Sequence, residues 1–248
     1  MTVVLQSVER LLRGELTRSE DLQAGRVEAS ASKLLAVTLV MGAVAGACVG
    51  IYPAIRNRPE GFLQMGASTL KVPLLYLLTL GVTFPSLYVF SALANSRLRM
   101  RETLRLLLIA TAVNVTVLAS LGPILAFFAV STRSHAFMQV LTISTFGVSG
   151  LLGLGFLRRA VSHVFQEVAK ETAGEPSAAQ RMAAVASATQ RARFIFTMWT
   201  VVYALVGSQM AWILRPFLGA PGLPFVIFRG TSRNFFAGAL DALRWAFE

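Results

Sequence analysis

The dominant constraint in this sequence is a set of apolar runs that carry no charged residue and match the thickness of a bilayer core. The clearest extends from Phe194 to Leu214 and halts at Arg215 and Pro216; Pro221 and Pro224 then break the chain before another span can form. Four more such runs occupy 34–55, 72–94, 106–130 and 136–157. A soluble domain does not segregate its charges in this way: only 14% of the 248 residues are charged, 55% are hydrophobic, and the mean hydropathy is +0.63. The expected fold class is therefore all-α, a polytopic membrane helix bundle of five transmembrane helices with amphipathic terminal helices and a cytosolic helical hairpin. A net charge of +11 in such a chain reads as attraction to anionic lipid head groups rather than to nucleic acid. The single cysteine, Cys48, lies inside an apolar run and offers neither a disulfide nor a cysteine metal site within one chain.

Residues 1–33 are polar with balanced signs, but Val4, Leu5, Val8, Leu11, Leu12 and Leu16 share one helical face, which predicts an amphipathic cytosolic helix at the amino terminus. In the first span Gly42, Gly46 and Gly50 recur every four residues and flatten one face, so a second helix can approach closely. Gly147 and Gly150 predict the same for the fourth span. Arg56 to Thr69 reads as a polar link. In the second span Pro85 removes an amide and frees the carbonyl of Gly81, which predicts a kink. Thr79, Thr83 and Ser86 cluster there, and with Asn114 and Ser120 of the third span they are candidates either to satisfy loosened backbone or to line a polar path. Beyond the fourth span helical spacing continues, and Gly174, Glu175 and Pro176 followed by Ser177 and Gln180 mark a break and a capping box. Residues 158–193 are thus expected to form a helical hairpin beyond the membrane.

The loop with Arg97, Arg99, Arg101 and Arg105 sits on the same side as the amino terminus, and that side collects about 15 of the 23 Lys and Arg residues. The amino terminus is expected in the cytosol and the carboxyl terminus outside, together with Arg56, Arg58, Lys71, Arg133 and Arg215. Residues 216–248 read as an interfacial loop followed by an amphipathic helix. Within it and just before it, Gln209, Trp212, Arg215 and Pro216 are candidates for a docking surface or an interfacial anchor.

No motif for covalent chemistry is present. His135 and His163 stand at span ends without Cys, Asp or Glu at ligand spacing, so no catalytic residue, metal or cofactor is expected. The five spans also read as free of Asp, Glu, Lys and Arg in their interiors, which argues against ion-coupled transport.

The strings Lys71-Val72-Pro73-Leu74-Leu75, Thr83-Phe84-Pro85-Ser86-Leu87-Tyr88-Val89-Phe90, Ala119-Ser120-Leu121-Gly122-Pro123-Ile124, and the run from Gly207 through Gln209, Trp212, Arg215 and Pro216 to Phe217 resemble a family of uncharacterised bacterial multi-pass membrane proteins. The resemblance implies a bacterial inner (cytoplasmic) membrane and a shared architecture, but no activity. The function expected from the residues is that of a non-enzymatic scaffold or subunit of a membrane complex, with a protein partner or self-association. The alternatives are a homo-oligomeric channel for ions or small neutral solutes, and lipid handling.

Overall fold

Apolar runs of this length fold as helices because, without water, a helix satisfies every backbone N–H and C=O inside its own segment. The structure, a computed structural model, describes residues 31–57, 59–93, 100–172, 178–219, 224–228, 230, 235–238 and 240–241. Most of the amino-terminal amphipathic segment, Arg97 and Arg99, the hairpin tip at Gly174 to Ser177, and the end of the expected carboxyl-terminal amphipathic helix, 242–248, lie outside the described residues.

Among the described residues there is no strand, and five long helices follow one another: α1 (Ala31–Arg56), α2 (Glu60–Leu93), α3 (Met100–Ser131), α4 (His135–Thr172) and α5 (Ala178–Ile213). Four stretches are long and apolar enough to cross a membrane: Ala31–Arg56, Glu60–Ser86, Leu107–Ser131 and His135–Phe156. That is the composition of a multi-pass membrane protein.

The three-residue connections between α1 and α2 and between α3 and α4 are too short for anything but antiparallel neighbours. A Cβ on Gly42 would meet Pro73, one on Gly46 would meet Ser68 and Thr69, and one on Gly50 would meet Met65, so α2 descends as α1 rises. The three glycines let the two backbones touch. α3 lies parallel to α1 on its other side, with Gly122 against Cys48 and the Arg56 guanidinium donating to the carbonyls of Val130 (3.3 Å) and Thr132 (2.8 Å). Tyr52 donates from its hydroxyl to the Arg133 carbonyl at 3.1 Å, which ties the end of α1 to the α3–α4 turn. α4 returns antiparallel along α3, where Gly153 faces Asn114. α5 closes the bundle against α2 and α4: Trp199 is fully buried and donates from its indole N–H to the Thr83 carbonyl at 3.3 Å.

Residues 60–71 depart from expectation. The sequence predicts a polar link over 56–69 with the second span starting at Val72, whereas α2 begins at Glu60, four residues after α1 ends at Arg56. The reason is an inverted amphipathic pattern. Leu70, 69% exposed, points away from the bundle with Phe62 and Leu63, while Gln64, Ser68 and Lys71 are buried. In water this distribution is unfavourable; in a bilayer the apolar side chains face acyl chains and the polar ones find partners inside. Lys71, expected in the outer loop, therefore lies within a membrane-length stretch and is 3% exposed. α2 also runs on through Pro73 and Pro85 as one continuous helix.

Candidate functional site

Gln64, Ser68 and Lys71 fall four and three residues apart, on one stripe of α2. That stripe carries hydrogen-bond donors and faces the chain that follows α5. Gln64 Nε2 donates to the carbonyls of Pro216 (2.6 Å) and Phe217 (3.2 Å), and Ser68 Oγ donates to Phe217 at 2.5 Å. Lys71 Nζ donates to Pro216 at 3.0 Å and also to the Ile227 carbonyl, and it lies 5.3 Å from the Phe228 ring centroid. Glu60 Oε2 accepts from the Phe225 amide at 2.8 Å. The carbonyls of Pro216, Phe217 and Ile227 lie beyond the end of α5, outside a helix, and the α2 stripe supplies their donors. Gly219 takes a positive φ of 67°, which glycine adopts without strain, where the chain turns past Gln64. Lys71 is the twelfth residue of α2, so the segment reaches about 16 Å down the helix from Glu60.

Beside this docked segment lies a cavity of about 1240 Å³, larger than the roughly 300–1,000 Å³ that holds a drug-sized molecule. It is open on one side. α2 contributes Leu75, Tyr76 and Thr79; α3 contributes Asn114; α4 lines it from His135 to Leu154 and α5 from Tyr203 to Trp212; the 215–219 segment closes one end. Most of the lining is apolar. Several of its neutral polar groups are held by the protein: the Tyr76 hydroxyl donates to Asn114 Oδ1 at 3.4 Å, Thr79 Oγ1 donates to the Leu75 carbonyl, and Gln139 Nε2 lies 3.0 Å from His135 Nε2, whereas His135 Nδ1 is buried without a hydrogen-bond partner. The charged lining residues, among those described, are Arg215 and Asp241. Arg215 places its guanidinium carbon 3.9 Å from the Trp212 ring centroid, in cation–π geometry. Gly238 sits against the same indole so closely that a Cβ there would collide with it.

The glycines expected to pack helices divide into two groups. Gly42, Gly46 and Gly50 lie against α2, but nothing stands within 4 Å of a Cβ built on Gly147 or Gly150, and both line the cavity instead. The helix-packing role expected of those two is thus a correction: α5 lies far enough from α4 at this level to leave the space. The hydroxyl candidates divide as well. Thr79 and Asn114 reach the cavity wall, whereas Thr83 donates to the Thr79 carbonyl at 2.7 Å, Ser86 donates to Thr83 at 2.7 Å, and Ser120 is exposed and donates to Val117 at 2.7 Å. Each hydroxyl closes on its own helix, as Ser and Thr do in apolar surroundings. Thr83 and Ser86 brace the turn around Pro85. Of the docking candidates, Trp212, Arg215 and Pro216 line the cavity, and Gln209 is half-buried one turn earlier. Among the described residues no three His, Cys, Asp or Glu side chains come together.

Reading the sequence missed Lys71, Gln64, Ser68, Tyr76 and Asp241. The first three carry one available signal, a stripe of donors at helical spacing directly before an apolar run. Compared with known proteins, the chain matches no family model, no curated protein and no solved structure.

Proposed function

We propose that this chain is a non-enzymatic bacterial inner-membrane protein that handles lipid, taking a lipid-like amphiphile from the bilayer into the cavity between α2, α3, α4 and α5. In this reading α5 is the fifth span, the amino terminus is cytosolic, and 216–228 is re-entrant rather than a flat interfacial loop. The stretch 158–193 forms the cytosolic hairpin and serves as the docking point for a protein partner.

The carrying observation is the cavity itself: about 1240 Å³, mostly apolar, with Arg215 and Asp241 as the charged residues among the described lining. A hydrocarbon chain suits the largely apolar lining, and the polar atoms of His135 and Arg215 suit a headgroup. The reading ranks above the two others on specific grounds. A scaffold has no use for interior space of this size, and of the side chains that a channel would present, Thr83, Ser86 and Ser120 are turned onto their own helices, while only Thr79 and Asn114 reach the cavity wall.

The test is occupancy. Native mass spectrometry of protein extracted gently from its own membranes should show bound lipid in wild type. A Cβ on Gly150 meets nothing within 4 Å and Gly150 lines the cavity, so Gly150→Phe should place its ring in that space. Lipid retention is expected to fall about tenfold or more, the 1.4 kcal/mol or greater that several blocked methylene contacts represent, with helical content and melting unchanged. Equal retention in the two proteins would remove the lipid reading. Recovery of a stoichiometric second protein in place of lipid would restore the scaffold, and conductance in reconstituted bilayers would restore the channel.

A further inference from the structure

Where the cavity opens decides what can enter it. Resting on the lipid-handling reading, we infer that the ligand enters sideways from the bilayer core, through a gap between α4 and α5, and that it is a lipid whose polar end carries no charge, such as a diacylglycerol.

Residues that line the cavity and are also exposed mark its rim. Apart from Gly230, in the chain beyond α5, all of those described lie on α4 and α5. On α4 they are Ile143, Gly147 and Leu151, spaced as one helical stripe, with Leu151 73% exposed; on α5 the matching residue is Ala204. Gly147 stands near the middle of the His135–Phe156 span, and a Cβ there meets nothing within 4 Å. The gap therefore lies at the depth of the acyl chains. Its flanks, Val148 and Leu152 on α4 and Val201 and Leu205 on α5, are exposed and apolar, as suits contact with lipid tails. The 215–219 segment closes one end of the cavity, which leaves this gap as the way in from the membrane.

An entrance at this depth discriminates by charge. A charged head reaching it has to leave the interface for the hydrocarbon, and no rim residue offers a counter-charge. The groups just inside are neutral as well. Tyr76 stacks on Phe146 with ring centroids 6.4 Å apart and donates to Asn114, which stands against Gly153. Hydroxyl and amide groups pair with hydroxyl or ester carbonyl oxygens but do not neutralise a phosphate. Arg215 follows Ala204 by eleven residues, about 16 Å at helical rise, so a phosphate at the gap has no lining cation among the described residues within reach. Positive charge around the outer end, Lys71 included, acts on a head that has already entered and not on which head enters.

The experiment reconstitutes the full-length protein into vesicles, adds equal amounts of an isotope-labelled diacylglycerol and a labelled phosphoglycerol lipid of matched chains, and counts the bound label by native mass spectrometry at successive times. Wild type should take up the diacylglycerol about threefold or more faster than the phosphoglycerol lipid. Gly147→Leu narrows the gap and should slow diacylglycerol uptake by about the same factor. Gly66→Leu is the control: that glycine is also exposed, with nothing within 4 Å of a Cβ, but it lies on α2 away from the cavity, and uptake should match wild type. If Gly147→Leu does not fold, Ile143→Trp enlarges a rim side chain already present and should slow uptake in its place. Equal or faster uptake of the phosphoglycerol lipid overturns the uncharged ligand. Uptake unchanged by the rim variants, or slowed as much by Gly66→Leu, overturns the lateral entrance. Binding of neither lipid by wild type overturns the lipid reading beneath both.

Discussion

Replacing Gly46 by leucine is expected to abolish the folded bundle. A Cβ on Gly46 would stand 2.8 Å from the Thr69 Cα and closer still to the Ser68 carbonyl oxygen, so the obstruction is backbone and not a side chain that can turn aside. Overpacking typically costs about 1–3 kcal/mol where side chains rearrange. Here the only relief is separation of α1 from α2, and that also opens the neighbouring contacts of Gly42 with Pro73 and Gly50 with Met65. Ser68 is in the same turn, so its bond to Phe217 is lost with them. Size-exclusion behaviour in mild detergent and the helical signal on heating would report the result. Gly66→Ala and Gly81→Ala serve as controls, because a Cβ at either position meets nothing within 4 Å. Both should behave as wild type. A Gly46→Leu protein that elutes and melts normally would mean that the α1–α2 contact is not the close one described.

Lys71→Met should release the segment from Pro216 to Ile227 while leaving the bundle standing. Two magnitudes compete. The substitution strands the Ile227 carbonyl, an unpaired acceptor costing about 1–3 kcal/mol, and leaves the Pro216 carbonyl to Gln64 Nε2 alone. It also relieves the expense of keeping an ammonium within a membrane span, about 2.5–3.5 kcal/mol. Across the whole protein these nearly offset, so the melting temperature should shift little. Locally they do not offset, because the relief belongs to α2 and the loss falls on the docked segment. Hydrogen exchange at the Phe217 and Ile227 amides should accelerate by tenfold or more, since a local opening made easier by about 1.4 kcal/mol is ten times more populated. Gln64→Leu and Ser68→Ala remove weaker neutral donors and should show the same effect to a lesser degree. Unchanged protection at those amides in Lys71→Met would show that the α2 stripe does not hold the segment.

The division between what could be read in advance and what could not follows the range of the interactions. Helix is dictated along each uncharged run by the backbone's own hydrogen-bond requirement, a local property. The turn near Ser131 to His135 was legible because polar residues interrupt two apolar runs there, and α4 does begin at His135. A flat glycine face announces that some helix will come close, but not which one. Gly46 and Gly150 look alike in sequence, yet one meets the α2 backbone and the other faces open space. The difference lies in the distance between α4 and α5, which neither helix encodes alone.

Residues 60–71 show the same limit. Gln64, Ser68 and Lys71 suggest a solvated link when water is the assumed partner, and their real partners are carbonyls 145 to 156 residues further along the chain. The sequence by itself determined that this protein is helical, that membrane-length apolar stretches dominate it, and where charge interrupts them, because hydropathy and backbone hydrogen bonding act over a few residues. Only the tertiary structure decided that a lysine lies inside, that carbonyls beyond α5 dock on it, and that four helices leave a cavity lined in part by Arg215 and Asp241. Those features depend on which groups meet across the bundle, and the direction a buried polar side chain takes is set by its partner.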